Sequence, residues 1–504
     1  MDIFYLLLST ILCILLYIIY RYLTRNQDYW EKLGVPTIRN SVPYFGYTWP
    51  ILMQRKCSGE IYHEIYESNP NCSMIGIYNC GEPELYIRDP DLIKAVMQTN
   101  FSNFQVNGLE FNLELDPLLK LNPFVNVGEK WKNGRAALTN TMSASKLKNM
   151  SLTIKVVSEK YLKYLNKNVK QNNNTWETDV QALFARFTAE VVAGVGFGVD
   201  GECFVKDTGT FVDMGNKIFE PTKLNALKQF ITLFVPSLAK ILGTGFLPRE
   251  FDFYCRRVVS DVLKSRKQTG LRGNDFIQHI CDLYKSENGE IDEDFVTCHA
   301  TSFYIDGYLT SSYTLSRVAY HLSIYPDVQN KLRDEIKEIL GKHQGSLTYD
   351  AIQDMKYLDL VIKESMRMSP VVSSLQKVCT TEFKFVGYDG VEYLMKPGSK
   401  VIMCPSAIHL DSKYWDNPED FIPERFDDEH KNEFHKFTYL SFGAGPRLCV
   451  GMRMAMTQMK FAIVTLIDNF SITLSSKTKV PFTFDPVGIL NIPKGGIWLN
   501  IKAL

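Results

Sequence analysis

The chain has 504 residues, 45% of them hydrophobic, with 56 acidic and 56 basic side chains. A net charge of zero excludes electrostatic capture of nucleic acid, which needs a basic surplus. The eleven cysteines are odd in number and include no CxxC pair, which argues against a disulfide scaffold or a zinc module and leaves most as small apolar thiols.

Residues 3–20, IFYLLLSTILCILLYIIY, carry no charge. As a helix they span about 27 Å, close to the hydrocarbon thickness of the endoplasmic reticulum membrane. A cleaved signal peptide wants positive charge before the apolar run and a small-residue cleavage site after it. Here Asp2 precedes the run, and Arg21 and Arg25 follow it. The expectation is an uncleaved, single-pass signal-anchor over residues 1–25, with the rest of the chain in the cytosol. Residues 26–50 contain Pro36, Pro43 and Gly46 and read as a stiff, irregular collar. No Pro/Gly/Ser-rich linker divides residues 51–504, which are read as one large domain.

Within that domain SMIGIYN reads as a strand. GVGFG, at 194–198, follows a helical pattern and lacks dinucleotide-loop spacing, so no nucleotide site is expected there. PDVQNKLRDEIKEILGKH places Val328, Leu332, Ile336 and Ile339 on one helix face, with Asp327 at the capping position. EFKFVGYDGVEYLMKPGSKVIM and the closing GGIWLNI supply further short strands. The fold class is mainly α with small β-sheets.

One thiol stands apart. In FGAGPRLCVG, Phe442 to Gly451, Gly443, Gly445 and Pro446 prevent regular structure and Gly451 permits close approach. MRMAMTQMKFAIVTLIDNF then reads as a buried helix. Cys449 is therefore expected at a loop-to-helix junction, where free N–H groups, the helix dipole and Arg447 favour a thiolate able to bind a soft metal centre.

FGAGPRLCVG resembles the FxxGxRxCxG haem-binding loop of the cytochrome P450 family, with Phe442, Gly445, Arg447, Cys449 and Gly451 in position. KESMR supplies Glu364 and Arg367, and FIPERF supplies Arg425; these match the family's buried charged triad beneath that loop. Trp131 and Arg135, in WKNGR, match residues that reach a haem propionate, and Lys377 stands where relatives carry an arginine for the same task. His409 matches a common family histidine and reads as a structural hydrogen-bonding residue. On the oxygen side the family shows a small residue, Gly, any residue, an acid, then Thr. In YIDGYLTSS, Gly307 and Thr310 fit, but Leu309 holds the acid's place and Asp306 that of the small residue. Asp306 lies four residues before Thr310 on the same face. It either replaces the missing acid or points elsewhere.

The resemblance covers the whole chain and is nearest to insect microsomal members. It implies the cytochrome P450 fold and haem b held through Cys449. The implied activity is a monooxygenase that inserts one atom of O2 into a small lipophilic substrate: a xenobiotic, a hormone or another endogenous lipid. Electrons would come from NADPH through NADPH-cytochrome P450 reductase, with cytochrome b5 a further partner, at the endoplasmic reticulum membrane. Lys132, Lys436 and Arg453 are candidates for the reductase footprint. The family's substrate segments map onto Phe104, Phe111, Phe124, Phe303, Val371, Leu375, Val487 and Ile489. The apolar stretch 227–248 corresponds to the pocket's roof, which dips into the membrane in relatives, or is an ordinary buried helix. Two alternatives stay open: a reductase-independent hydroperoxide isomerase or dehydratase of the same fold, which the Leu309 departure suggests, and a non-catalytic haem sensor.

Overall fold

The structure, a computed structural model, describes residues 2–504 apart from 39–41, 221, 285–290, 431–432 and 488–489. Helices dominate, and the longest, Glu293–Ile324, runs through the middle of the molecule. Asp292 caps it, its carboxylate accepting the Phe295 N–H at 3.1 Å. This helix shows no one-sided apolar stripe because protein surrounds it on nearly every side. Its many hydroxyls are accommodated by bonding back to their own helix: Ser302 to the Cys298 carbonyl at 2.9 Å and Ser316 to that of Ser312 at 2.7 Å.

Around it lies a helical core including Tyr161, Phe184, Leu315, Leu358 and Phe461. A second core, with Trp30, Tyr62, Tyr86 and Met403, packs on a five-stranded sheet. That sheet runs in the order Met74–Asn79, Glu82–Ile87, Lys400–Met403, Leu375–Val378, Val106–Asn107. Its pairings are antiparallel except between Glu82–Ile87 and Lys400–Met403. Thr175–Asp179, Trp498–Ala503 and Phe470–Leu474 form a three-stranded sheet, and Phe383–Val386 pairs with Glu392–Met395 in a hairpin. The strands read from the sequence at both ends of the chain are present.

The GVGFG segment continues a helix that begins at Val180, ending where Gly198 turns left-handed at φ 71°. In Pro326–Lys342, Leu332 and Ile336 are buried, with Val328 and Ile339 packed beside them. Asp327 does not cap this helix. Tyr325 takes the cap position and Pro326 opens the first turn, where its missing N–H costs nothing, so Asp327 lies inside that turn.

The collar is part of the body. Trp30 is buried and donates Nε1–H to the Ile77 carbonyl at 3.0 Å; Thr37 and Gly46 bridge to Gly76 and Asn79 on the edge strand. The helix Asp2–Leu23, by contrast, is bare along its apolar length. Removing residues 2–20 should therefore shift the unfolding free energy of the remainder by no more than about 0.5 kcal/mol in a denaturant titration.

Candidate active site

The loop around Cys449 is anchored from below. Glu364 and Arg367, on the helix Lys356–Met368, are both fully buried and pair bidentately at 2.8 and 2.9 Å. Arg425 Nε reaches the same carboxylate at 3.2 Å, and the Ile422 N–H adds a contact at 3.0 Å. Arg367 also donates to the His409 carbonyl at 2.7 Å, while His409 Nδ1–H donates back to the Arg367 carbonyl at 3.1 Å. That fixes the tautomer, so His409 Nε2 accepts the Leu440 N–H at 2.8 Å. Burial holds His409 neutral by pushing its pKa down to about 3. The charged cluster is thus tied through one histidine to the strand of chain that enters the cysteine loop.

Within the loop, the Cys449 N–H donates to the Phe442 carbonyl at 2.9 Å, closing a tight turn. Gly445 has φ 65°, and a Cβ there would lie 1.8 Å from the Met97 carbonyl oxygen. Only glycine satisfies both demands. The helix Met452–Asn469 follows. Amides of Gly451 and Met452 and the charge of Arg135 favour the Cys449 thiolate, yet burial outweighs them and raises the thiol above its ordinary value.

Cys449 opens onto an internal cavity of about 540 Å³, walled mainly by apolar groups such as Phe303, Val371, Leu440 and Met454. Arg135, Lys377 and Arg447 also line it. Arg447 donates to the carbonyls of Gln105, Pro123 and Asn126 at 2.7, 2.7 and 2.8 Å and lies 4.6 Å from the Trp131 ring centre. Lys377 donates to Asn107 Oδ1 at 2.7 Å; burial, then Arg447, pulls its pKa down to about 7. Among the described residues none of these three cations has a carboxylate partner. A chamber with a sulfur ligand, apolar walls and three unneutralised cations fits a flat apolar macrocycle carrying carboxylates and a metal.

Beyond the sulfur, Asp306, Gly307 and Thr310 of the central helix also face the cavity. Thr310 donates its hydroxyl to the Asp306 carbonyl at 2.6 Å. Among the described residues the Asp306 carboxylate meets a single donor, Asn122 Nδ2, at 3.3 Å. What surface it exposes belongs to the enclosed chamber, and burial raises its pKa to about 7 against the opposing Asn122 bond. Leu309 is packed in the helical core. Gln458 donates to Ser311 Oγ at 2.8 Å and reaches the Gly307 carbonyl at 3.4 Å.

The family model for cytochrome P450 matches residues 40–500. The chain belongs to the cytochrome P450 family. It is 31% identical to cytochrome P450 6j1 of Blattella germanica, over 96% of this chain and 95% of the relative. It is 32% identical to cytochrome P450 6B1 of Papilio polyxenes, over 98% and 99%, and 29% identical to cytochrome P450 6a2 of Drosophila melanogaster, over 95% and 96%. It is thus an insect-like P450, an iron- and haem-dependent monooxygenase of the type that holds haem through a cysteine thiolate.

Of the pocket residues read from this P450's sequence, Phe124, Phe303, Val371, Leu375 and Val487 line the cavity. Phe104 does not: it is fully buried against Phe383 and Phe385 in the sheet's core. Phe111 is also elsewhere, edge-on to Phe246 at 5.3 Å, a contact between two loops that draws it off the wall. Ile489 lies outside the described residues. Asn122, Asn107 and Gln458 were not singled out; each acts across a long sequence separation, and nothing local marks them.

Truncating Glu364 to alanine should leave two buried arginines without an anion and destabilise the fold by about 3–5 kcal/mol in equilibrium unfolding. Gly445→Ala should likewise reduce the folded yield, since neither its left-handed backbone nor Met97 can give way.

Proposed function

We propose that the chain is a membrane-anchored P450 whose residues 51–504 form one haem-binding catalytic domain that oxygenates small lipophilic substrates. Cys449 is the metal ligand, and Trp131, Arg135, Lys377 and Arg447 hold the propionate side, with Phe442 and Gly451 shaping the loop. The single observation carrying this reading is a trio of cations, without a carboxylate partner among the described residues, lining the same apolar cavity as a cysteine. Bound haem would supply reductive activation of O2 and insertion of one oxygen atom into a C–H bond or double bond.

The protein's part is positioning and proton supply. Thr310 keeps its hydroxyl hydrogen on the Asp306 carbonyl, leaving its oxygen free to accept from a water in the cavity. Gly307 leaves the helix surface open beside it. With a pKa near neutrality, Asp306 can hold a proton on its carboxyl and release it. It takes the place of the acid the family carries at Leu309, whose position is sealed in packing. Restoring that acid by Leu309→Glu would bury a charge rather than present one.

NADPH-cytochrome P450 reductase, and in support cytochrome b5, are the proposed electron donors. Lys132, Lys436 and Arg453 are exposed as a docking footprint requires, although Lys132 also pairs with Glu129 at 2.8 Å. The endoplasmic reticulum is the proposed location, supported by the bare apolar helix and the arginines behind it. The roof segment supports entry from lipid. In Lys223–Phe234 and Pro236–Leu242, Phe230 and Leu233 line the cavity, while Leu224 and Ile241 are 78% and 80% exposed.

The test is product analysis with reconstituted reductase and NADPH across terpenoids, steroids, fatty acids and xenobiotics. Oxygenated product should appear, and Cys449→Ser should abolish it. Product formed from a hydroperoxide alone, with none from NADPH, would support the isomerase instead. Asp306→Asn should lower product per NADPH consumed by at least about tenfold and raise peroxide release, read by parallel assays of the three species.

A further inference from the structure

Asp306 is the only carboxylic acid among the described residues that line the cavity. Among the described residues it has one neutral donor, at 3.3 Å, and no cation. A carboxylate can accept about four hydrogen bonds, so most of its capacity faces an apolar chamber, where an unmet charge is costly. Such an imbalance is relieved when the occupant brings a positively charged N–H.

We propose that the cavity selects lipophilic amines, bound as ammonium ions with the nitrogen on the Asp306 carboxylate and the hydrocarbon against the apolar walls. The inference deepens the oxygenase reading and rests on this cavity being its substrate pocket. Among the described residues the groups acting on the Asp306 carboxylate are Asn122 from the preceding loop and Cys449 across the chamber; Thr310, on its own helix, bonds the Asp306 main-chain carbonyl instead. Arg135, Lys377 and Arg447 line the same chamber. They do not compete if cofactor carboxylates neutralise them. A neutral alcohol satisfies one lone pair but leaves the charge unmet, so hydroxyl recognition is the weaker reading. Burial raises the Asp306 pKa to about 7 against the opposing Asn122 bond, so near neutral pH the carboxyl is part ionised: it pairs with a cation in one form and holds a proton in the other.

The test is calorimetric binding to the full-length, haem-loaded enzyme with neither reductase nor NADPH. The probes are three molecules of matched length: N,N-dimethyloctylamine, 1-nonanol and octyl methyl ether. The crowded tertiary nitrogen disfavours binding to the metal. At pH 8 the amine should bind at least about tenfold more tightly than the ether, the expectation for one charge-assisted hydrogen bond. In Asp306→Asn the amine-to-ether ratio should fall to near one, and Asp306→Glu should restore part of it. Ratios are taken within each variant, so partial loss of folded protein cancels. Between pH 8 and pH 6 the preference should shrink, because Asp306 takes up a proton and the ion pair is lost. An equal affinity for all three probes would overturn the proposal. So would an alcohol as tight as the amine, or a preference that survives in Asp306→Asn. Failure of all three to bind would overturn it together with the pocket assignment, whereas binding as expected without turnover would fault only the oxygenase reading.

Discussion

One buried carboxylate governs the architecture of the site. Glu364 collects two nitrogens of Arg367, one of Arg425 and a main-chain N–H, so two cations share one anion beneath the loop. Such a cluster is not a stabilising device in itself, since three apolar side chains could fill the space at no greater free energy. What it provides is placement. Arg367 and His409 clasp each other's carbonyls, and the far nitrogen of His409 reaches Leu440, so the entry to the cysteine loop is held from a rigid helix rather than from another loop. The sulfur's position follows from that, and the glycine geometry finishes it.

The cavity then shows an uneven distribution of charge. Among the described residues three cations lining it have no carboxylate partner, and one acid has no cationic partner. A folded chain seldom leaves such groups unmatched in its interior, because each costs several kcal/mol unless something compensates. The imbalance is the imprint of absent guests: a dianionic cofactor at the cation trio and an occupant bearing a donor near Asp306. Lys377 illustrates the point, its pKa falling to about 7 when only neutral Asn107 and like-charged Arg447 are near.

Much of this was legible in the sequence, for identifiable reasons. Short motifs hold the groups that lie near one another along the chain: Gly445, Arg447 and Cys449 in one loop, Glu364 and Arg367 one turn apart, Trp131 and Arg135 likewise. The strands and the anchor helix declared themselves by pattern. What escaped was long-range. Asn122 meets Asp306 across 184 positions and Lys377 meets Asn107 across 270, separations no local pattern encodes. Phe104 and Phe111 misled because an aromatic near the pocket in sequence can face either side of a loop. The central helix, polar in places yet mostly buried, hides its burial from periodicity.

The two short helices roofing the cavity are apolar on both sides. Phe230 and Leu233 face inward, while Leu224, Ile241 and Leu242 are exposed at 78%, 80% and 54%. Lys223 and Lys240 share the outer surface, but the apolar side chains exposed among them are poorly accommodated by water. Clipping off the N-terminal helix therefore does not make a well-behaved soluble enzyme: the roof's outer face would still drive molecules to cluster, and keeping them apart calls for detergent or for polar replacements at those outer leucines and Ile241.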